Sequence, residues 1–253
     1  MNIRLDGSPA GRVAIVTGGS RGVGEATVRR LATRGYAVVV NYLHDRRAAE
    51  STVGAILAGH SDAVAVRADV ADDLDVARLF AETIAVFGGI DVVVHAAGSP
   101  VTVTPVAEVD LDMLDALVRI NTRATFIVNR EAARHLRDGG AIVNLTSSPD
   151  GSSLPAYGLY AATKAATSVL TRALALELRE RDITVNAVSL EVGTPCAPNR
   201  VADVVAYLLT DHGHRTTGRV LRVGDPEHRW LPSSSGGTDP PRGTDAVRSR
   251  RRR

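Results

Sequence analysis

The sequence has very little cysteine and lysine, and it has no long apolar run. Cys196 is the single cysteine among 253 residues, so an intramolecular disulfide framework is excluded and the composition is compatible with a reducing cytoplasm. No apolar run approaches the roughly 18 residues that a membrane-spanning helix needs. Residues 1–11 are short, mixed and polar, unlike a secretory signal peptide. We therefore expect a cytoplasmic protein without a membrane partner.

The charge of the chain is concentrated at its end. The formal net charge is +2, but from Asp225 onward seven Arg stand against four acidic residues, so that part carries +3 and residues 1–224 carry −1. The globular part has no basic bias, so a nucleic-acid partner is not expected. Residues 231–253 are rich in Pro, Ser, Gly and Arg and are predicted to be a disordered basic tail. Residues 1–230 are long enough for a single domain.

Lysine occurs once, at Lys164, among 30 Lys and Arg residues. It follows Tyr160 by four residues, so in a helix the two side chains lie on one face, one turn apart. A neighbouring ammonium favours the phenolate and lowers the pKa of a Tyr from about 10 towards the range of efficient general acid–base catalysis. The alternative is a surface Lys on an amphipathic helix beside a packing Tyr.

Short apolar segments alternate with segments of helical spacing along the chain. This alternation predicts an α/β fold, a doubly wound parallel sheet of the Rossmann type with about seven strands and helices on both faces. The predicted strands cover residues 12–17, 37–42, 63–70, 90–97, 141–146, 182–189 and 220–223. The predicted helices cover residues 25–33, 45–58, 74–87, 111–137, 160–179 and 201–210.

A glycine-rich turn, residues 18–24, stands between the first strand and the first helix. Such a turn lets backbone N–H groups and a helix N-terminus approach a pyrophosphate. Asn41 and Tyr42 end the second strand, where an NAD-preferring site usually has an acid, and Arg21 lies in the turn itself. Arg46 and Arg47 follow. Arg would bind a 2′-phosphate that an acid would repel, so the sequence favours NADP(H) over NAD(H).

The order of these motifs resembles the short-chain dehydrogenase/reductase family, in particular its NADPH-dependent ketoreductases. The glycine turn has the spacing Thr-Gly-x-x-x-Gly-x-Gly, and Ser147 stands thirteen residues before Tyr160. Between the glycine turn and Ser147 come Asp69-Val70, Ala96-Ala97-Gly98 and Asn121, in the family's order. The resemblance covers residues 10–189 and 201–224 and implies the strand order 3-2-1-4-5-6-7.

The resemblance also implies a role for each of these residues. Tyr160 would donate a proton to a carbonyl oxygen to which Ser147 is hydrogen-bonded. Lys164 would lower the Tyr pKa and bind the nicotinamide ribose, and Asn121 would support a proton relay. His95 stands where the family has Asn and is interpreted as structural. The implied cofactor-binding residues are Gly18, Ser20, Arg21, Gly22, Val23, Gly24, Asn41, Tyr42, Asp69, Val70, Ala96, Ala97, Gly98, Tyr160, Lys164 and Thr194; no metal site is expected.

Two of these assignments have local rivals. Tyr157 could replace Tyr160, but the residue four positions after it is Ala161, which supplies no cation. Asp69 lies beside the adenine ring in the family, and it could also cap the helix that starts near Asp72.

The family pattern breaks after Ser189. The family continues with Pro-Gly and then a helical lid of a few dozen residues, whereas here Leu190-Glu191 leads within ten residues into the next helix. A lid excludes water and shapes specificity. The shortened segment, residues 190–200, predicts an open substrate pocket unless another subunit or the tail covers it.

The expected function is that of an NADPH-dependent oxidoreductase. It would reduce the ketone of a small or carrier-tethered metabolite to an alcohol, or catalyse the reverse. The alternative is an NADP(H)-binding sensor or scaffold with little or no turnover, which the altered segment 190–200 motivates. The family resemblance further implies a homodimer or homotetramer formed through the paired long helices.

Overall fold

The computed structural model describes residues 11–99, 103–147, 155–190 and 197–223. Within these ranges seven strands form one parallel sheet, which confirms the predicted fold class. The strands are β1 (Val13–Thr17), β2 (Ala37–Tyr42), β3 (Ala63–Arg67), β4 (Ile90–His95), β5 (Leu136–Ser147), β6 (Thr184–Leu190) and β7 (Val220–Val223). Every residue of β1 and β2 is buried, as expected of a parallel sheet covered on both faces.

Helices connect the strands and cover both faces of the sheet. They are α1 (Gly22–Ala32), α2 (Arg46–Ala58), α3 (Asp73–Phe87), α4 (Leu111–Leu117), α5 (Ala124–His135), α6 (Gly158–Glu177) and α7 (Pro198–Leu208). A π-helical segment, Val118–Arg123, joins α4 to α5. Short 3-10 turns lie at Val106–Glu108, Arg179–Arg181 and Gly213–Arg215.

The strand order is β3-β2-β1-β4-β5-β6-β7, as the family resemblance implied. The order reverses between β1 and β4, whose carboxyl ends are paired through Thr17 and His95. Open parallel sheets bind their ligands in the crevice at this switch point. The glycine turn after β1 and the segment Ala96–Gly98 after β4 therefore border one crevice.

Two hydrophobic clusters lie on opposite faces of the sheet. One joins Val16 and Val94 to α1, α2 and α7. The other joins Ile15 and Val93 to α3, α5 and α6. Since successive strand residues point to opposite faces, Thr17 and His95 belong to the face that α5 and α6 cover.

The predicted long helix 111–137 is helical from Leu111 to His135, but its hydrogen-bonding pattern changes within it. The π-helical segment interrupts it at Val118–Arg123, and α5 ends at His135 rather than at the glycine pair. Leu136 turns into an extended conformation and pairs with Ile90; the register then shifts, so that Val92 pairs with Ala141. Gly139 and Gly140 lie in the resulting bulge, where Gly139 has a positive φ of 75°. The predicted strand 141–146 matches the regular part of β5.

The short connection after β6 is confirmed. β6 ends at Leu190 and α7 begins at Pro198, three residues before the predicted helix start. Glu191 and the other residues of 191–196 lie outside the described ranges, as do the proposed domain boundary at 230 and the tail 231–253, which stay predictions. Among the described helices, none combines the length and apolar character needed to cross a bilayer.

Candidate active site

Tyr160 and Lys164 lie one turn apart in the first two turns of α6, on the buried face of that helix. Their relative exposures are 7% and 8%, and Lys164 Nζ lies 6.0 Å from the centroid of the Tyr160 ring. The prediction that Tyr160 and Lys164 share one helix face is confirmed. The alternative, in which Lys164 is a surface residue, is wrong, because Lys164 is buried. Tyr157 packs its ring edge-on against Tyr160 at a centroid distance of 6.3 Å.

Burial sets the pKa of both side chains. Burial lowers the pKa of Lys164 to about 8, because a charged ammonium loses its hydration there. Burial, with a smaller effect of Tyr157, raises the pKa of Tyr160. The predicted lowering of the Tyr160 pKa by Lys164 is therefore wrong. The Tyr160 phenol is protonated at neutral pH, which is the form that a proton donor needs.

Gly98, just after β4, brings Lys164 and Asn121 together. A Cβ atom at Gly98 would lie 3.0 Å from Lys164 Nζ and 3.3 Å from Asn121 Oδ1. Asn121 is buried in the π-helical segment, where its Nδ2 donates to Thr163 Oγ1 at 3.0 Å and its Oδ1 accepts from Ser99 N at 3.2 Å. Asn121 thus connects the end of β4 to the turn of α6 that carries Lys164.

Two residues in this arrangement, Ser99 and Thr163, were not predicted from the sequence. Each directly follows or precedes a predicted site residue, Gly98 or Lys164. That adjacency was the available signal, but nothing in the spacing shows that both side chains meet Asn121.

Ser147 is the last residue of β5 and is buried at the carboxyl edge of the sheet. Its Oγ donates to the backbone carbonyl of Leu190 at 3.4 Å, and the two residues are paired in register between β5 and β6. The predicted position at a strand end is confirmed. Its neighbour Ser148 and the predicted cofactor ligand Thr194 lie outside the described residues.

The glycine turn has the geometry that a dinucleotide phosphate requires. Gly18 and Gly22 have positive φ angles of 64° and 57°, which glycine adopts without strain. A Cβ at Gly24 would lie 2.1 Å from the carbonyl oxygen of Gly18, so no larger residue fits where α1 meets the turn. Ser20 is buried and Val23 half-buried beside these glycines. No side chain caps the start of α1, and uncapped N–H groups there are suited to bind an anion.

Asn41 holds the glycine turn in place rather than pointing into the crevice. It is buried, its Oδ1 accepts from Gly18 N at 3.3 Å, and its Nδ2 donates to the carbonyls of Val66 and Ala68 at 3.3 and 3.1 Å. Any effect of Asn41 on cofactor binding is therefore indirect. Tyr42 is buried in the cluster under α1 and α2.

Asp69 connects the end of β3 to the π-helical segment through an ion pair with Arg119. Its Oδ2 accepts from Arg119 Nη2 at 2.7 Å and its Oδ1 accepts from Ala71 N at 2.9 Å. Burial opposes ionisation of Asp69, but these two bonds prevail and lower its pKa. The alternative that Asp69 caps the next helix is wrong, because Asp72 caps α3. Val70 is buried in the core.

Basic side chains lie near the glycine turn and the end of β2. Arg21 is exposed at the N-cap of α1, and Arg47 is exposed in the first turn of α2. Neither forms an ion pair with a described residue, whereas Arg46 is paired with Glu50 at 2.7 Å. Arg21 and Arg47 are therefore the cations available to a phosphate group.

Thr17, at the end of β1, fixes the backbone after β4. Its Oγ1 accepts from the N–H groups of Ala96 and Ala97, both at 3.1 Å, and lies 2.9 Å from His95 Nδ1. A Cβ at Gly18 would lie 3.0 Å from Ala97 Cα, so the two segments that border the crevice are in contact.

The chain matches a family model described as enoyl-(acyl carrier protein) reductase over residues 18–195. Versicolorin reductase 1 of Aspergillus parasiticus is 43% identical over 190 residues, 74% of this chain and 70% of that protein. The hydroxynaphthalene reductase-like protein Arp2 of Metarhizium brunneum is 42% identical over 183 residues, 72% of this chain and 68% of that protein.

Solved structures have the same architecture. A short-chain dehydrogenase/reductase from Serratia marcescens is 32% identical, with a TM-score of 0.80 over 85% of this chain and 98% of that one. A short-chain dehydrogenase from Burkholderia cenocepacia in complex with NADP is 32% identical, with a TM-score of 0.79 over 85% of this chain and 97% of that one.

Proposed function

Since the chain belongs to the short-chain dehydrogenase/reductase family of oxidoreductases, we propose that it is an NADPH-dependent reductase that converts a ketone into an alcohol. The observation that carries the proposal is the buried Tyr160–Lys164 pair beside Gly98, at the switch point of the sheet. Ser147 ends a neighbouring strand at the same edge. A buried, protonated phenol next to a cation is an arrangement for proton transfer to an oxygen atom.

In this mechanism the protein handles the proton and the developing negative charge on the carbonyl oxygen. NADPH, when bound, supplies the hydride that adds to the carbonyl carbon. The Tyr160 hydroxyl donates its proton to the carbonyl oxygen, and the Ser147 hydroxyl donates a hydrogen bond to that oxygen. Lys164 stabilises the phenolate that remains on Tyr160. Asn121 holds the turn of α6 that carries Lys164, so it positions the cation.

The residues around the crevice support NADP(H) as the cofactor. The glycine turn and the uncapped start of α1 would hold the pyrophosphate, and Lys164 would bind the nicotinamide ribose. Arg21 and Arg47 would bind the 2′-phosphate, and no acid ends β2 to repel it. The related protein from Burkholderia cenocepacia contains NADP.

The substrate class follows from the relatives and from the short connection after β6. The two relatives are named for versicolorin and hydroxynaphthalene, so we infer a ketone on a fused aromatic ring system as the first candidate. The short connection leaves room for a bulky or carrier-tethered substrate at the crevice.

The experiment measures NADPH oxidation with a panel of ketones that includes the substrates for which these relatives are named. We expect turnover with at least one ketone and a loss of about 10²–10⁴-fold in kcat for Tyr160→Phe, the range that general acid catalysis contributes. Tyr157→Phe removes the neighbouring phenol and should retain activity. Full turnover by Tyr160→Phe would contradict the mechanism.

The same panel distinguishes the second candidate function, an NADP(H)-binding sensor or scaffold. The short connection between Leu190 and Pro198 favours this function, because it leaves little chain to exclude water from the crevice. Micromolar NADPH binding without oxidation of NADPH by any ketone, and binding that is insensitive to Lys164→Ala, would support it over the reductase.

A further inference from the structure

His95 is held in one tautomer by Thr17. A hydroxyl has two acceptor lone pairs and one proton. Both lone pairs of Thr17 Oγ1 accept backbone N–H groups, from Ala96 and Ala97, so its proton goes to His95 Nδ1, 2.9 Å away. Burial first, and then the charge of Lys164, lowers the pKa of His95 to about 3, so the ring is neutral. Its second nitrogen, Nε2, therefore carries a hydrogen.

This Nε2–H is buried and has no hydrogen-bond partner among the described residues. His95 is 1% exposed, and a buried donor without an acceptor is strongly unfavourable. Three buried hydroxyls in the described part of the chain also have no hydrogen-bond partner there: Thr167 Oγ1, Ser168 Oγ and Ser189 Oγ.

Two of the four unpartnered groups, His95 and Ser189, lie on the sheet, and the other two, Thr167 and Ser168, are buried residues of α6, which packs on the same face. Two hydrogen bonds anchor α6 on β5: Thr146 donates to the carbonyl of Lys164 at 3.0 Å, and Asn144 donates to Thr171 Oγ1 at 3.1 Å. Thr167 and Ser168 occupy the turn of α6 between these anchors. On the sheet, His95 is paired in register with Asn144, and Ser189 with Thr146. His95 and Ser189 thus flank β5, and the turn of α6 that carries Thr167 and Ser168 is anchored on β5.

We propose that His95 is a positioning residue of the active site, whose Nε2–H holds a water buried between β4 and α6, and that this water accepts a hydrogen bond from the Lys164 ammonium. A water can accept two hydrogen bonds and donate two. It would accept from His95 and Lys164 and donate to the unpartnered hydroxyls, such as Thr167 Oγ1. The inference rests on the proposed function in one respect, the role of Lys164 as the cation beside Tyr160.

Such a water would raise the pKa of Lys164. Among the described residues, the titratable groups that face Lys164 are His95 on β4 and Tyr160 on α6, and on the α5 side the uncharged Asn121 stands opposite. None of them supplies a negative charge at neutral pH, so burial alone would leave the ammonium poorly stabilised. A bound water restores part of its hydration and keeps Lys164 charged at a higher pH.

The test uses the fact that Lys164 is the single lysine of the chain. Full-length protein labelled with [ε-¹³C]lysine gives one lysine resonance, whose titration reports the Lys164 pKa without a substrate. The matched variants are His95→Gln, which keeps a deep N–H donor, and His95→Met, which has a similar length and no donor. We expect His95→Gln to titrate like the wild type and His95→Met to titrate about one pH unit lower, as for loss of one hydrogen bond to a charged group.

A second variant leaves His95 in place. Thr167→Val removes a partner of the water at nearly constant volume and should shift the Lys164 titration downward as well. A crystal structure at high resolution should show a water within hydrogen-bond distance of His95 Nε2. The inference would be overturned if the wild type, His95→Gln, His95→Met and Thr167→Val gave coincident titration curves. It would also be overturned if the crystal structure showed no water at His95 Nε2. A failure of ketone reduction alone would leave these titrations unchanged, so it would bear on the proposed function only.

Discussion

A buried cation such as Lys164 is unfavourable for folding, and at this site it is retained beside a phenol. Its pKa in the folded protein, about 8, lies below the ordinary value of 10.5 for a lysine side chain. Between these two values the unfolded chain binds more protons than the folded one, so this residue makes the stability rise with pH from about 8 to 10.5. Below pH 8 the full penalty of the buried charge is present.

We therefore predict that Lys164→Met abolishes reduction but stabilises the fold. At pH 7 the free energy of unfolding of the variant should exceed that of the wild type by an amount on the order of 3 kcal/mol. This difference should decrease towards zero at pH 10.5. Urea unfolding at pH 7, 8.5 and 10 measures it. Arg172→Met, which removes an exposed cation from the same helix, should show no such trend. A Lys164→Met protein that is less stable than the wild type at pH 7 would refute the prediction.

At this scale the sequence predicted that Tyr160 and Lys164 share a helix face and that Ser147 ends a strand, but it did not predict their environment. Tyr160, Lys164 and Ser147 could be found from their spacing, because four residues make one helical turn and strand ends share an edge. The direction of the Tyr160 pKa shift could not, because it depends on burial by residues distant in sequence. The contacts of Thr17 were missed for the same reason: its partners, residues 95–97, are far along the chain.

At the scale of an element, we expect the start of α1 and its N-cap residue Arg21 to decide the cofactor preference. Arg21→Ala should weaken NADPH binding by about 10- to 100-fold, as for loss of one charge-assisted hydrogen bond, and leave NADH binding nearly unchanged. Fluorescence titration with both cofactors measures the two affinities. Arg34→Ala, just beyond the opposite end of α1, is the matched control. Equal losses for NADPH and NADH would mean that Arg21 does not bind the 2′-phosphate.

The elements themselves were predictable where their pattern is strong and local. The apolar runs of β1, β2 and β7 gave their positions to within one residue. The prediction of the long helix 111–137 missed its π-helical segment, because hydrophobic spacing carries no signal for one. Asn121, in that segment, contacts Ser99 and Thr163, which are distant in sequence. The glycine pair predicted a helix end, but tertiary pairing of Leu136 with Ile90 ends the helix earlier.

At the scale of the whole molecule, the candidate active site at the carboxyl edge of the sheet is built from segments distant in sequence. Gly18 follows β1, Gly98 follows β4, Ser147 ends β5 and Lys164 lies in α6. The close approach of Gly98 to Lys164 and Asn121 brings the end of β4, α6 and the π-helical segment together. The short connection between Leu190 and Pro198 is the reason that we expect an open substrate pocket at this edge.

The outward faces of α5 and α6 carry apolar side chains that a monomer would leave in water. Phe126 on α5 and Val169 and Leu176 on α6 are 56%, 65% and 75% exposed, and residues seven apart on a helix lie on one face. We predict a homodimer or homotetramer that buries these residues, in which the double variant Val169→Glu and Leu176→Glu dissociates to a monomer because burying two carboxylates is unfavourable. Light scattering after size-exclusion chromatography measures the mass. Leu74→Glu, on the exposed face of α3, should leave it unchanged, and a monomeric wild type would contradict the prediction.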